Sequence, residues 1–392
     1  MAKSKLGLLP IVLAAIALGI LCSLFLPDWA VRFFLTFNSI FSSFLGLFIP
    51  VLIIGLIAPG IADLGKGAGK LLLVTVALAY LSTILAGFFS FFTCKWTYPS
   101  VLGDSMNALG EVDMTNRLSP FFTIEMTPFI SVTSALVLAF VIGLTMASIK
   151  GNALRNVMND FREMVFLVIK NVIIPCLPLF IFGIFLQMGA EGKVVAVLGM
   201  FVKIILVIMV MHVTVLLLQF CVAGAIAGKN PFRSLVKMLP AYATALGTQS
   251  SAATIPVTLS CAKKLGVEEG IADFTIPLCA TIHLSCSILK ITACAFAISL
   301  SMGMDVSFGT YAGFIMMLGV TMVAAPGVPG GAIMAALGLL SSMLGFDANL
   351  QGLMIALYIA MDSFGTAGNV TGDGAITMIV DRISKLSVRK DN

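Results

Sequence analysis

Long apolar segments recur along the chain and are separated by short polar ones. A membrane-spanning helix needs about 20 consecutive, mostly apolar residues, and six segments in the first half of the chain are about that long or longer. They lie near residues 6–27, 39–62, 70–93, 123–149, 158–189 and 193–228. The longest polar segment, from Lys95 to about Thr123, is expected to be an external loop. The pattern predicts a helical protein that crosses the bilayer several times.

In the second half, Gly, Pro, Ser and Thr interrupt the apolar segments at their middles. Residues 232–263 contain GTQSSAATIP between two stretches that are each too short to cross a bilayer, and Pro256 is expected to break the helix there. Residues 310–345 repeat the pattern around AAPGVPGGAIMAALG. Both are predicted to be re-entrant hairpins, within an inverted repeat that pairs 232–300 with 310–382. Non-helical backbone at membrane depth must be buried in protein or line a wet cavity, so the hairpins indicate a substrate path.

Composition supports the membrane assignment and excludes an ordinary soluble domain. Of the 392 residues, 59% are hydrophobic and only 10% charged, with a mean hydropathy of +1.10, against about 25% charged residues in soluble domains. The first apolar segment lacks a small-residue cleavage site and is expected to be a span.

The charges predict the orientation of the chain. Most of the 23 basic residues fall in alternate loops and in the C-terminal tail. The positive-inside rule then places both termini in the cytoplasm and implies an even number of crossings. The net charge of +5 needs no nucleic-acid partner to explain it.

The cysteines do not indicate a metal centre. The eight are scattered without a CxxC pair, and the chain has only two histidines, so they are interpreted as buried apolar residues. No cofactor is expected beyond Na⁺ or H⁺ as a coupling ion.

Three polar clusters lie within apolar sequence. They are Gln249-Ser250-Ser251, TIHLSCSILK (281–290) and MDSFGTAGNVTGD (361–373).

The third cluster places four polar side chains on one helical face, because their spacings are four, three and four. These are Asp362, Thr366, Asn369 and Asp373. Carboxylates within a membrane helix are costly and mark a transport path; the alternative is a polar contact between helices.

At these motifs the chain resembles the glutamate transporter family, the dicarboxylate/amino acid:cation symporters. SSAATIP (250–256) and GVPGGAIM (327–334) are similar to the family's two hairpin tips, and NVTGD (369–373), with Asp362 upstream, to its last helix. The chain looks like a divergent prokaryotic member. The resemblance implies an all-α fold of eight transmembrane helices and two re-entrant hairpins, a homotrimer, and a transport domain that moves like an elevator against a scaffold.

The resemblance also implies how the chain divides into domains. Scaffold helices 1 and 2 would lie in residues 1–69, transport-domain helix 3 in 70–93, and an external loop with scaffold helices 4 and 5 in 94–192. Residues 193–392 would hold the rest of the transport domain: helix 6, hairpin 1 (about 232–263), helix 7 (about 270–300), hairpin 2 (about 310–345) and helix 8 (about 348–382).

Carried over by position, Asp362 would bind the amino group of an amino-acid substrate. The other implied substrate contacts are Ser250, Ser251, Ser287, Gly327, Val328, Pro329, Gly330, Thr366 and Asn369. Asn369 and Asp373 would line a sodium site, and Tyr80 and Thr83 match the contribution of helix 3. The second tip is one residue shorter than the family pattern.

The seventh helix departs from that pattern. Where relatives read Asn-Met-Asp-Gly-Thr, this chain has His-Leu-Ser-Cys-Ser at 283–287, so an amide and a carboxylate expected to bind sodium are replaced by His283 and Ser285. One hypothesis is that His283, facing Asp373 or Asn369, replaces a sodium ion with its own proton, since histidine changes charge near neutral pH. The alternative is a neutral, hydrogen-bonded histidine, which is also how His212 is interpreted.

A second departure concerns the positive charge that relatives use to bind an acidic side chain. Their arginine falls at Gly365, and a family carboxylate one turn before Asp362 becomes Tyr358. Lys290, seven residues after His283 and therefore expected on the same helical face, is the candidate replacement for the lost charge. The alternative is a structural partner for a carboxylate or for carbonyl groups.

These features predict a secondary active transporter in the inner or plasma membrane, not an enzyme. Its substrate would be an amino acid, either acidic, as Lys290 favours, or small and neutral, as loss of the arginine favours. Sodium coupling would be altered or absent, with a proton as the candidate replacement. The alternatives are a sodium-coupled dicarboxylate carrier, an anion channel, or an intramembrane hydrolase. The hydrolase would use Ser250 or Ser251 with His283 and Asp373 as a triad, or a serine with Lys290 as a dyad.

Overall fold

A computed structural model describes most of the chain, and every regular element in the described part is a helix. The described residues are 8–65, 70–103, 118–190, 192, 194–323, 325 and 329–391.

In the described residues, seven α-helices precede the first hairpin, and a π-helical turn at Ile169–Ile173 separates the fifth from the sixth. They are α1 (Leu8–Ser23), α2 (Asp28–Gly65), α3 (Lys70–Leu102), α4 (Val132–Ser148), α5 (Ala153–Val168), α6 (Ile174–Ala190) and α7 (Val194–Ala227).

Eight shorter or broken helices follow. They are α8 (Pro231–Thr248), α9 (Ser251–Lys263), α10 (Glu269–Ile282), α11 (Ser285–Ser301), α12 (Phe308–Val323), α13 (Gly331–Leu344), α14 (Ala348–Ala360) and α15 (Asp362–Asp391).

Several helical stretches are long and apolar enough to cross a membrane. In the described residues there are five, or six if α14 and α15 count as one bent span. The protein is therefore a multi-pass membrane protein, while the predicted total of eight spans stays a prediction.

Three helix boundaries in the first half differ clearly from the predicted ones. Helix α2 begins at Asp28 and not near residue 39. Helix α3 continues to Leu102, so the expected external loop begins later than Lys95. Helix α4 begins at Val132 and not near residue 123. Pro128 disfavours helical backbone in the residue before it, and Ser131 caps the helix by accepting the amide N–H of Ser134 at 3.2 Å.

The helices pack in two groups. Helices α1, α2, α4, α5 and α6 pack mainly on one another, whereas α3 packs on α11, and α15 packs on α7, α8 and α10. The predicted movement of one group against the other stays a prediction.

The first hairpin has its turn at Gln249. This residue adopts left-handed backbone (φ 52°, ψ 22°), and Ser250 then caps α9 through the amide N–H of Ala253 at 3.3 Å. The expectation that Pro256 breaks the helix is wrong, because Pro256 lies inside α9. A proline there removes one intrahelical hydrogen bond, but the chain has already reversed direction at Gln249.

The predicted seventh and eighth helices are each divided in two. Helix α10 ends at Ile282 and α11 starts at Ser285, while α14 and α15 meet at Met361 with a bend of 62°. The expectation that His283 and Lys290 share a helical face is therefore wrong, because His283 lies in the break and Lys290 inside α11. Both breaks place unpaired backbone groups deep in the protein, and side chains satisfy them.

Candidate functional site

The four polar residues predicted to share one face of α15 are all buried. Asp362 is 4% exposed, Thr366 7%, Asn369 2% and Asp373 0%, within one continuous helix, as their spacing predicts. Both helix breaks and both hairpin tips come together on this half of α15.

Asp362 faces Lys290, which is completely buried. The Lys290 Nζ atom lies 3.4 Å from Asp362 Oδ1 and 3.4 Å from the carbonyl oxygen of Tyr358. It also lies 3.4 Å from the centroid of the Tyr358 ring, a cation–π contact. The ammonium group therefore has a carboxylate, a carbonyl and an aromatic face around it.

Gly365 makes room for that ammonium group. A methyl group added at Gly365 would stand 2.8 Å from Lys290 Nζ and 3.3 Å from its Cε. Lys290 thus fills the space beside the position where the resemblance predicts a missing arginine.

Both hairpin tips contact the first turn of α15. The amide N–H of Gly330, at the start of α13, donates to Asp362 Oδ2 at 2.7 Å. From the other tip, Gln249 Nε2 donates to Ser363 Oγ at 2.8 Å. The second tip is described only in part: Pro329 and Gly330 are described, whereas Gly327 and Val328 lie outside the described residues.

Asn369 forms hydrogen bonds with the first residues of α11, next to the break between α10 and α11. Its Oδ1 atom accepts the backbone N–H of Cys286 at 2.8 Å, and its Nδ2 atom donates to Ser287 Oγ at 2.9 Å. Ser287 Oγ also accepts the hydroxyl of Tyr358 at 3.2 Å. Asn369 therefore connects to the surroundings of Lys290 through one hydroxyl group.

His283 pairs with Asp373, which lies further along α15 than Asn369. The Nδ1 atom of His283 lies 2.9 Å from Asp373 Oδ1, and its Nε2 atom lies 3.0 Å from Ser82 Oγ. Gln219 Nε2 donates to Ser82 Oγ and to Ser285 Oγ, each at 3.0 Å. His283 therefore contacts Asp373 and not Asn369, the other partner that the hypothesis named; its exchange of a sodium ion for a proton stays a prediction.

The remaining predicted residues lie around this network. Ser251 is buried near the first tip. The Tyr80 hydroxyl donates to the carbonyl of Met316 in α12 at 3.3 Å, and the buried Thr83 hydroxyl has no partner among the described residues. Tyr80 thus joins α3 to the second hairpin.

A sodium ion bound directly by both Asn369 and Asp373 would share their oxygens with contacts already present. A hard cation needs several oxygen ligands. Here Asn369 Oδ1 accepts Cys286 N–H and Asp373 Oδ1 is paired with His283. Only the second oxygen of Asp373 lacks a partner among the described residues.

Sequence reasoning missed Ser82, Gln219 and the contact of His212. The Nε2 atom of His212 lies 3.1 Å from the carbonyl oxygen of Cys286, at the helix break. Gln219 carries a side-chain amide within the 34-residue apolar helix α7. A polar side chain in such apolar sequence was the signal from which its role could have been predicted. Ser82 and Gln219 also line a cavity of about 350 Å³ with otherwise apolar walls.

Gly365→Ala should destabilise the protein by about 1–3 kcal/mol, because its methyl group would displace the Lys290 ammonium from a filled site. The measurement is the unfolding midpoint in detergent micelles. Gly270→Ala is the control: Gly270 is helical, and a methyl group there would meet no atom within 4 Å. Equal unfolding midpoints for the two variants would show that the Lys290 ammonium group does not depend on the space over Gly365.

Comparison with known proteins finds similar sequences over nearly the whole chain. The model of the sodium:dicarboxylate symporter family matches residues 8–383. The serine/threonine transporter SstT of Acinetobacter baumannii (strain AYE) is 28% identical over 96% of this chain and 97% of its own. Excitatory amino acid transporter 3 of Mus musculus is 36% identical over 40% of this chain and 30% of its own. The rabbit (Oryctolagus cuniculus) transporter of the same name is 31% identical over 65% of this chain and 49% of its own.

The family match and the site geometry exclude one of the alternatives that the sequence left open. The relatives are named as transporters, and His283 bonds to Ser82 and Asp373 rather than to the hairpin serines, so a hydrolase is excluded. The chain belongs to the sodium:dicarboxylate symporter family.

Proposed function

We propose that this protein is a secondary active transporter of an amino acid, bound between the two hairpin tips and the first turns of α15. The observation that carries the proposal is that both tips contact α15 at adjacent residues, Asp362 and Ser363. A substrate held there is enclosed by two gates, which suits alternating access better than an open channel. Movement of the transport domain like an elevator, in a homotrimer with cytoplasmic termini, belongs to the same proposal.

Two features support an amino acid as the substrate. Asp362 provides a buried carboxylate for an ammonium group, and N-terminal backbone N–H groups of α9 and α13 suit a carboxylate. The relatives are themselves named as transporters of serine and threonine and of excitatory amino acids.

An acidic amino acid is favoured over a neutral one. Lys290 supplies a positive charge in the space over Gly365, where the family resemblance predicts that a side-chain carboxylate is bound. The neutral substrates of the bacterial relative are the competing outcome.

Sodium coupling is altered in this proposal. Asp373 already has a cationic or hydrogen-bonding partner in His283 at 2.9 Å, so one sodium ion fewer is expected per substrate. A proton carried by the His283–Asp373 pair is the candidate replacement, and both ring nitrogens of His283 have partners that suit either charge state.

The test is uptake by the full chain reconstituted in proteoliposomes. The substrates are aspartate, glutamate, serine, threonine and succinate, each with and without sodium, at two pH values. We expect saturable uptake of an amino acid, with counterflow, that is retained without sodium and increased by an inward proton gradient. Transport of succinate alone, or a non-saturable anion current alone, would overturn the proposal. Strict sodium dependence would overturn the altered coupling only.

A further inference from the structure

We infer that the outward face of α8 binds an anionic phospholipid. The headgroup lies on basic residues around the start of α8, and a hydrocarbon chain lies along the apolar stripe beside them. Because α8 is the first arm of the first hairpin, the bound lipid holds the element whose tip at Gln249 contacts Ser363. This surface is separate from the substrate site, and its ligand does not depend on which substrate is carried.

Helix α8 exposes an apolar stripe along one side. Phe232 is 61% exposed, Val236 60% and Leu239 48%, and spacings of four and three place them on one helical face. The other side of the helix packs into the protein through Met238 and Ala245, which are buried. An apolar stripe next to basic residues is typical of a helix that lies against membrane lipid.

A basic cluster lies beside this stripe. Arg233 and Lys237 each follow a residue of the stripe by one position and are exposed. Lys237 Nζ donates to the carbonyl oxygen of Lys264, at the end of α9, at 2.7 Å. Lys229 Nζ donates to the carbonyl oxygens of Leu265 and Gly266 at 2.7 and 2.8 Å. These contacts bring three parts of the chain together, and the basic cluster consists of Lys229, Arg233, Lys237 and Lys264.

The charges of the basic cluster are not matched by carboxylates. Two of its lysines donate to neutral carbonyl groups, and no ion pair joins the cluster to an acid in the described part of the chain. The neighbouring acids pair elsewhere, Asp273 with Lys263 at 3.1 Å and Asp381 with Lys385 at 2.7 Å. Glu268 adds one negative charge to this loop, so the cluster keeps a net positive charge and attracts anions.

The position of the basic cluster along the helices matches the depth of lipid headgroups. Helix α7 has 34 residues, about 51 Å at 1.5 Å per residue, whereas the hydrocarbon core is about 30 Å thick. Lys229 follows the end of α7 by two residues, so it lies beyond the core. From there the first hairpin extends along α15, since Glu268 N–H donates to Asp381 at 3.0 Å and the tip contacts Ser363. These two positions are separated by about 27 Å of helix, so the stripe continues to hydrocarbon depth.

An anionic phospholipid fits both parts of this surface, because it carries a negative headgroup and an apolar chain. Free phosphate fits only the basic cluster, and a zwitterionic lipid brings no net charge to it. In this structure α13 packs on α2 and α4, whereas α8 packs mainly on α7, α9 and α15. The apolar stripe of α8 is therefore left open to the bilayer among the described residues.

The test measures binding of dioleoylphosphatidylglycerol and dioleoylphosphatidylcholine to the full chain in detergent micelles, by native mass spectrometry and by the melting temperature. Wild type should bind the anionic lipid at least about tenfold more tightly than the zwitterionic one, with a higher melting temperature. Each basic residue at a membrane surface contributes about fivefold, so the double substitution Arg233→Gln, Lys264→Gln should weaken binding of the anionic lipid about 25-fold. Val236→Ser should weaken binding of both lipids, because it removes a contact with the chain.

Lys150→Gln is the matched control for Arg233→Gln. Lys150 is also an exposed basic residue, just after α4, but it lies outside the basic cluster, so binding should equal that of wild type. Added salt should weaken binding of the anionic lipid by wild type and leave the zwitterionic lipid unaffected.

Equal binding of the two lipids by wild type, or unchanged binding of the anionic lipid by the double variant, would overturn the inference. An equal loss in Lys150→Gln would overturn it too, since binding would then depend on total charge and not on this surface. If inorganic phosphate raises the melting temperature as much as the lipid does, or if Val236→Ser binds as wild type does, the surface takes a free anion and not a lipid. Uptake of amino acids tests the proposed function separately and is unaffected by these outcomes.

Discussion

Asp362→Asn should lower the free energy of unfolding by about 3–5 kcal/mol and abolish uptake, because it leaves the charge of Lys290 buried without a partner. Asparagine keeps the size of the side chain and can still accept the amide N–H of Gly330. The loss of stability and of uptake can therefore be attributed to the missing negative charge. The measurements are chemical denaturation in mixed micelles and uptake in proteoliposomes.

Removing both charges should restore stability without restoring transport. In the double variant Lys290→Met, Asp362→Asn no unpaired charge remains, and replacing a buried ion pair by groups of similar volume is often neutral. We expect the two substitutions to be strongly non-additive, as for residues in direct contact. Additive losses of stability would show that the two side chains do not interact in the membrane.

Asp381→Asn is the matched control for the single variant. Asp381 lies on the same helix and pairs with Lys385 at 2.7 Å, but the Lys385 side chain is 50% exposed. Asp381 itself is only 4% exposed and accepts the backbone N–H of Glu268 at 3.0 Å, a bond that asparagine can also accept. Because the Lys385 ammonium group stays hydrated when its partner is removed, the expected loss is about 1 kcal/mol or less. A loss at Asp381 as large as that at Asp362 would mean that α15 tolerates no substitution, whatever the charge.

The face of α15 could be predicted from the sequence, because helical periodicity is a local property. Asp362, Thr366, Asn369 and Asp373 repeat at helical spacing, and the helix there is continuous and buried. The turn of the first hairpin was predicted in the right segment, but its breaking residue was not. Left-handed backbone at a non-glycine residue such as Gln249 is uncommon. The sequence therefore favoured Pro256 over Gln249 as the residue that ends the helix.

The residues that position His283 could not be predicted locally. Ser82 lies 201 positions from His283, and Gln219 lies 137 positions from Ser82. Their contacts depend on how α3, α7 and α15 pack, and no spacing rule within one segment reports that. The break at His283 was missed for a related reason: the segment contains no proline or glycine at that point, and Asn369, 83 positions from Cys286, satisfies the exposed backbone N–H.

The break separates His283 from helix α11, which carries Lys290. In the structure His283 reaches Asp373 and Lys290 reaches Asp362, so each buried acid has its own nitrogen partner. Under the proposed function, substrate selection and ion coupling should therefore be separable, which the next experiment tests.

The double substitution His283→Asn, Ser285→Asp should make transport sodium-dependent. It restores the amide and the carboxylate that the family resemblance places at these positions, and it frees Asp373 Oδ1, which His283 now occupies at 2.9 Å. Gln219 Nε2, which donates to Ser285 Oγ at 3.0 Å, would be placed to orient the new carboxylate. We expect sodium to raise uptake by at least about tenfold, equivalent to about 1.4 kcal/mol of binding.

Sodium should also raise the melting temperature of this variant, because a ligand that binds only the folded state stabilises it. Thr292→Val serves as the control and should respond to sodium as wild type does. His283→Asn alone should respond weakly, since it frees one oxygen of Asp373 but adds no carboxylate. If wild type already shows the full sodium response, or if the double variant shows none while remaining folded, His283 does not stand in the place of a sodium ion. A sodium response confined to the double variant would instead show that two residues at one helix break, His283 within it and Ser285 at the start of α11, decide which cation this transporter uses.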